Sequence, residues 1–403
     1  MDFQKLALDY HEFPRPGKTS IQPTKPFNTQ HDLSLAYTPG VAGPVSAIAK
    51  NREDAYRYTN KGNLVAVITD GSAVLGLGNV GALAGKPVME GKSVLFKLFA
   101  DIDVFDIEVE APSTEAFIET VANISATFGG INLEDIAAPK CFAIEEALKE
   151  RLNIPVFHDD QHGTAVVVCA GLINALTVQG KPLEDVQIVI QGAGSAGIAT
   201  AKLLYALGAN RDNIAMVDSK GVIHVERTDL NIYKQAFAIK TPKRSIAEAL
   251  IDADVLIGLS GPNTITPAMI KCMAKRSIVF ALSNPDPEIY PEQVAEVSDT
   301  VIMATGRSDY PNQVNNSLVF PFIFRAALDE KIKQIDHDLL VAATHVLAEL
   351  AHLPVPAEVK EIYKNEVLEF GPGYILPKQF DPRLCDHMVR GLKQAIHKQK
   401  QSG

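Results

Sequence analysis

A β-branched run, Val186-Gln187-Ile188-Val189-Ile190-Gln191, leads without a break into Gly192-Ala193-Gly194-Ser195-Ala196-Gly197, and an alanine-rich segment follows to Leu207-Gly208. A strand that enters G-x-G-x-x-G and leaves as a helix is the first half of a dinucleotide-binding unit. The glycines permit a tight turn and close approach of a pyrophosphate, which the helix N-terminus then holds. A second strand, Ile214-Ala215-Met216-Val217-Asp218, ends in an acid 21 residues after Gly197. That is the place of a carboxylate on the adenosine ribose. Asp218 taken alone favours NAD, whereas Ser219 and Lys220 behind it favour the 2′-phosphate of NADP. Further strand-like runs at 254–261, 277–282 and 300–304 extend this to a Rossmann-type, doubly wound parallel sheet.

Upstream, Ile154-Pro155-Val156-Phe157-His158-Asp159-Asp160-Gln161-His162-Gly163 joins a short apolar run to a long apolar helix through two adjacent acids. Carboxylates at such a joint are costly to desolvate unless they bind something. Their oxygens suit Mg²⁺ or Mn²⁺. A second pair, Glu134-Asp135, closes the run that starts at Gly129, with a predicted helix over 140–151 between the pairs. Two pairs around one helix fit adjacent parallel strands, whose loops leave the same sheet edge. Successive strand residues face opposite sides, so Glu134 and Asp135 can share an ion only where the strand has ended. Read singly, each pair is a solvated loop or cap. His158 and His162 raise zinc, but no third soft ligand lies nearby.

Other residues carry two readings each. Tyr37, just before Pro39-Gly40, reads as a packed tyrosine with a satisfied hydroxyl. Lys92 follows Gly91 and opens an apolar helical segment. It is either a solvated helix-start lysine or a desolvated one whose pKa falls near another positive centre. Asn284 is a turn residue before Pro285, yet amides at the carboxyl ends of parallel strands lie where ligands bind. A second G-x-G-x-x-G at Gly76, Gly78 and Gly81 runs on into Gly85-Lys86-Pro87, which predicts a broken helix and a turn-rich loop near a ligand. The prolines within 1–30 predict irregular structure there, and 47–58 reads as helix.

The net charge of −10 argues against a nucleic-acid or anionic-membrane partner. The four cysteines are scattered without C-x-x-C, which fits a reducing, cytoplasmic setting. The first residues do not read as a signal peptide, and the apolar segment 164–178 is too short to span a bilayer. The fold class is therefore α/β. An N-terminal α/β substrate and metal domain covers 1–160, the dinucleotide domain 161–330, and C-terminal helices 331–403. Within that last segment, 336–352, 356–370 and 381–399 read as structural helices. The joint behind Gly163 is expected to act as a hinge.

Together these stretches resemble the malic enzyme family of the small bacterial type: AYTPGVA (36–42), LGLGNVGALAGKPVMEGK (75–92), GGINLEDI (129–136), PVFHDDQHGTA (155–165), QGAGSAG (191–197), SNPDPE (283–288) and GRSDYPNQVNN (306–316). The resemblance is strongest to the malic enzyme part of bacterial enzymes that carry a phosphotransacetylase-like domain behind it, a domain this chain is expected to lack. It implies metal-dependent oxidative decarboxylation of L-malate to pyruvate and CO2 with reduction of NAD(P), with a slight lean to NADP. Tyr37 then matches the general acid and Lys92 the general base. Glu134, Asp135 and Asp160 match the ligands of Mg²⁺ or Mn²⁺, which leaves Asp159 a supporting role. Gly192 to Gly197 match the pyrophosphate turn, and Asn284 and Asn316 the amides for substrate and nicotinamide. Large animal-type members carry an arginine where this sequence has Ala73, so the group that holds the second malate carboxylate is open. The family implies a homodimer or higher oligomer, with a site residue lent by the neighbour. Two other readings remain: another metal-dependent hydroxyacid oxidative decarboxylase, or a nucleotide-sensing protein without catalysis.

Overall fold

The computed structural model describes residues 3–364 and 366–402. Two open sheets organise it. The first contains β1 (Leu64–Thr69), β2 (Asp103–Glu108), β3 (Gly130–Leu133) and β4 (Val156–His158), in the order β2-β1-β3-β4 and parallel throughout. Every residue of β1 is buried, as expected for a strand covered on both faces by crossover helices. Those helices are Ala82–Ala100, Thr114–Ile124 and Lys140–Arg151. Ser113 starts the second by accepting from Ala116 N–H, the cap its sequence predicts.

The second sheet contains β5 (Ile188–Gln191), β6 (Ile214–Asp218), β7 (Gly221–Val222), β8 (Val255–Gly258), β9 (Ile278–Ala281) and β10 (Ile302–Thr305). Its order is β10-β9-β8-β5-β6-β7, parallel except for the short β7. From β5 the chain first runs outward through β6. It then returns to the other side of β5 and runs on through β8, β9 and β10. The crevice between β5 and β8 is the switch point at which such sheets bind ligands.

The helix Asp159–Gln179 follows β4 directly and precedes β5. At 1.5 Å per residue its 21 residues span on the order of 30 Å. It is longer than the 164–178 segment suggested, and it meets the length and hydropathy of a membrane-crossing helix. Its side chains are instead mostly buried: Val166, Val167, Val168, Cys169, Ala170 and Leu172 all lie inside. A single apolar core runs from β1 through this helix into β5, the helix Phe320–Asp329 and the C-terminal helix Arg383–Ser402.

Four local expectations need correction. Residues Phe3–Glu12, within the stretch expected to be irregular, are helical, because the first proline is Pro14; Gln30–Ala36, just beyond that stretch, is a helix started by the reciprocal cap of Thr29 and Asp32. The helix predicted over 47–58 is broken at Asn51, whose side chain caps a new turn by accepting from Glu53 N–H. Of the helix predicted over 356–370, only Ala357–Ile362 forms; residue 365 lies outside the described residues. Most instructive is Pro87, which sits inside the unbroken helix Ala82–Ala100, so Lys92 lies mid-helix rather than at its start. An internal proline costs about 3 kcal/mol. Complete burial of Met89 and Phe96 on the same helix contributes roughly 1.5–3 kcal/mol each, which outweighs it.

Gly163 also lies within continuous helix. A Cβ there would stand 1.8 Å from Asp159 Oδ1, so close packing requires a glycine at this position. Gly163→Ala should therefore destabilise the protein by about 1–3 kcal/mol and displace the Asp159 carboxylate. Urea unfolding measures the first effect and a crystal structure of the variant the second; native stability would contradict the packing argument.

Candidate active site

Register sets the acidic cluster. Leu133 and His158 are paired at the ends of β3 and β4, so the residues that follow both strands emerge together. Asp135 takes a positive φ of 52°, which ends the strand alternation between Glu134 and Asp135. Asp135 N–H donates to Asp160 Oδ2 at 2.8 Å. One carboxylate oxygen from each of Glu134, Asp135 and Asp160 lies within 4.8 Å of the others. Asn132 holds Glu134 from below, donating to Oε2 at 2.8 Å.

Lys92 reaches this cluster from mid-helix. Its Nζ lies 2.6 Å from Asp159 Oδ2 and 2.8 Å from Glu134 Oε1, and 4.3 Å from the centre of the Phe320 ring. Lys92, Glu134, Asp135 and Asp159 are all buried. Four carboxylates and one ammonium thus share this site, with two of the acids paired to the lysine. Asp135 Oδ2 and Asp159 Oδ1 are buried without a hydrogen-bond partner. An unbalanced negative site with orphaned oxygens fits a divalent cation held by oxygen ligands. The histidines do not complete a zinc set: His162 Nε2 bonds Glu145 Oε1 at 2.8 Å, and His158 Nδ1 stays 3.8 Å from Asp160.

The lysine's charge is set by its acidic neighbours. Burial disfavours its charge, but Asp159 and Glu134 outweigh burial and hold the ammonium well above its usual value. For the acids, burial acts first and their neighbours add to it. Asp135 is pushed up to about 9, chiefly by burial and then by Asp160 and Glu134. Glu134 and Asp160 are raised as well.

The dinucleotide turn is built as the glycine spacing predicts. Gly192 has a φ of 114°, and a Cβ on it would meet Leu259 O at 2.2 Å; one on Gly197 would meet Gly192 O at 1.8 Å. Gly194 faces open space ahead of the helix Ser195–Ala206. A cleft of about 880 Å³ joins this turn to the acids. Lys92, Glu134, Asp135, Asp160, Ser195, Ala196, Asn284 and Asn316 all line it. Ala73 lines it too, and among the described lining residues Lys92 is the one lysine or arginine. The second glycine motif is part of this wall, with Gly76 packed so closely that a Cβ would meet Asn284 O at 2.7 Å.

One expected site residue stands elsewhere, and another is in place but engaged. Tyr37 ends the helix Gln30–Ala36, is 67% exposed, and is not among the residues lining the cleft. Asp218 does end β6 beside the glycine turn, with Val217 O accepting from Gly192 N–H at 2.8 Å. Its carboxylate is already engaged: Oδ1 accepts from Arg227 Nη1 at 2.8 Å and Oδ2 from Lys234 Nζ at 2.7 Å. Sequence reasoning missed Asn132 and Glu145. Glu145 left a trace, an acid on the inward stripe formed by Cys141, Ile144 and Leu148.

A parallel-sheet domain with a cluster of acids, facing a dinucleotide turn across one cleft, defines a nicotinamide-dependent oxidoreductase. Comparison with known proteins makes this specific. Residues 16–116 match the family profile for the malic enzyme N-terminal domain, and 161–364 that for the malic enzyme NAD binding domain. An NADP-dependent malic enzyme of Halomonas elongata is 58% identical over 97% of this chain and 93% of its own length. One of Escherichia coli is 55% identical over 94% of this chain, which spans only 50% of that protein. The crystal structure of a malic enzyme from Pyrococcus horikoshii superposes with a TM-score of 0.89 at 42% identity, covering 99% of this chain and 91% of that one. The chain belongs to the malic enzyme family, whose reaction is the oxidative decarboxylation of malate with reduction of NAD(P).

The raised acids set the pH behaviour of the metal-free protein. Between about pH 4 and pH 9 Asp135 is protonated when folded and ionised when unfolded. The folded state then binds more protons, so stability falls as pH rises through that window. Melting of chelator-treated protein across this range should show that decline. Mn²⁺ should raise the melting temperature more at higher pH, because binding must displace those protons. A Mn²⁺ effect independent of pH would contradict the cluster's role.

Proposed function

We propose that this cleft carries out the family reaction on L-malate, with Glu134, Asp135 and Asp160 holding Mg²⁺ or Mn²⁺. The observation that carries the reading is the group of buried Lys92, Glu134, Asp135 and Asp159 with half-buried Asp160, set in one cleft with the pyrophosphate turn. Bound there, the divalent ion would supply Lewis acidity at the malate 2-hydroxyl and carboxylate, and the oxidised nicotinamide would supply the hydride acceptor. Lys92 Nζ takes the 2-hydroxyl proton, and Asp159 keeps Nζ pointed into the cleft. Phe320 lies beside the amine and limits water there. Asn284 and Asn316, which also line the cleft, orient the nicotinamide end and the malate carboxylate. After CO2 leaves, C3 of the product enol needs a proton, and the Tyr37 hydroxyl supplies it.

Tyr37 cannot do this from the exposed position it has within one chain, so we assign it to the cleft of a second copy. The arm that carries it supports this assignment: Ile21, Phe27, Leu33 and Leu35 are all exposed apolar side chains. For the cofactor the finer reading is NADP. Asp218 is neutralised by Arg227 and Lys234, which leaves it poorly placed to accept from a ribose hydroxyl and removes its repulsion of a 2′-phosphate.

Initial rates with malate and Mn²⁺ test the whole reading, and kcat/KM should be higher with NADP than with NAD. Turnover of isocitrate or tartrate without malate would overturn it. Lys92→Ala and Tyr37→Phe should each lower kcat by at least ~100-fold. Mixing the two inactive variants should recover about a quarter of native activity, since a mixed dimer holds one intact site. If both residues acted within one chain, the mixture would stay inactive.

A further inference from the structure

The acids of the long helix sit in its first turn, and that turn is gripped from behind. Glu145, on the helix Lys140–Arg151, is buried at 5% exposure. Its Oε1 accepts from His158 N–H at 3.2 Å and from His162 Nε2 at 2.8 Å. Its Oε2 accepts from Gln161 Nε2 at 3.3 Å and again from His162 Nε2 at 3.0 Å. Lys149 Nζ, one turn along its own helix, lies 2.8 Å from Oε1. Residues 158, 161 and 162 are thus tied to one carboxylate, and Asp159 and Asp160 lie between them. Those two acids point the other way, Asp159 onto Lys92 and Asp160 onto Asp135 N–H.

Glu145 does not belong to the catalytic cleft. Together with Lys149 and His162 it lines a separate cavity of about 460 Å³ that also borders Ile198, Ala199 and Lys202 of the dinucleotide domain. Nothing in the reaction requires a group there. A buried carboxylate is expensive to desolvate, and this one gathers donors only from its own helix and from the start of the long one.

We infer that Glu145 is a positioning residue for the metal site, fixing the first turn of the long helix so that Asp160 meets Glu134 and Asp135 and Asp159 meets Lys92. This rests on the metal reading given above. Outer partners of this kind orient metal ligands, and their loss typically weakens metal binding about 10–100-fold. His162 is the arm through which most of the grip passes, since it bonds both oxygens. Lys149 contributes charge to Glu145 but no tie to the long helix.

The test is Mn²⁺ binding to the chelator-treated full chain, read from the electron paramagnetic resonance signal of free Mn²⁺. Glu145→Gln keeps the volume of the side chain but turns an acceptor into a donor that faces the donors of Gln161 and His162. It should weaken Mn²⁺ binding about 10–100-fold. The Mn²⁺ concentration for half-maximal activity should rise by the same factor, with kcat near native at saturating Mn²⁺. A merely structural role would not be rescued by Mn²⁺ in this way. His162→Gln, which leaves Glu145 in place, should shift binding in the same direction and carries the test should Glu145→Gln fail to fold. Lys149→Met should bind Mn²⁺ as the native protein does. Native affinity in both the Glu145 and His162 variants overturns the inference, as does an equal loss in Lys149→Met. A native protein that binds no Mn²⁺, or an Asp160→Asn variant that binds it normally, overturns the metal reading and this inference with it.

Discussion

One ammonium sharing a site with four carboxylates is the constraint on which the structure depends. Lys92 lies within 3 Å of two of them, and it is buried together with three of the four acids. Desolvation penalises every charge in the group, and a single lysine cannot balance them. The fold tolerates this only because the acids project from strand and helix ends fixed by two sheets and a long helix. The same imbalance gives the site its chemistry. A divalent cation would complete the charge balance and cancel the field that keeps Lys92 protonated, leaving burial to bring the amine towards its deprotonated form.

The long helix turns that local constraint into a global arrangement. It begins with the two acids of the cluster, runs through the shared core, and ends just before the first strand of the dinucleotide sheet. The acidic cluster and the pyrophosphate turn are therefore tied to the two ends of one helix and its neighbouring strand. The close approach of Gly163 to Asp159 shows how tightly the acid end is packed. Glu145 extends the same logic, since pinning the first turn from behind fixes both acids without touching either.

The sequence disclosed most of the site because most of it is carried by short runs. The strand, glycine turn and helix at 186–207, the acid at the end of β6, and the two acidic pairs at adjacent strand ends lie where the periodicity places them. Rules that govern only local backbone failed where packing overruled them. Pro87 stays inside a helix because Met89 and Phe96 on that helix are fully buried. The ion pairs that set the charge on Lys92 were not legible, because Glu134 and Asp159 are distant from it in sequence. Asp218 fits the ribose position by spacing, yet Arg227 and Lys234 fold back onto its carboxylate.

What the sequence by itself determined is the pair of parallel sheets, the dinucleotide turn, the acids that gather at one edge, and the family. Each follows from residue type at fixed spacing, which the backbone converts directly into position. Only the tertiary structure decided how those groups are charged and which can reach the cleft. It held Lys92 protonated between two acids, tied up Asp218, left Tyr37 on the surface of its own chain, and placed Glu145 behind the first turn of the long helix. Electrostatics and reach depend on which distant side chains share a desolvated space, and that is set by packing rather than by spacing along the chain.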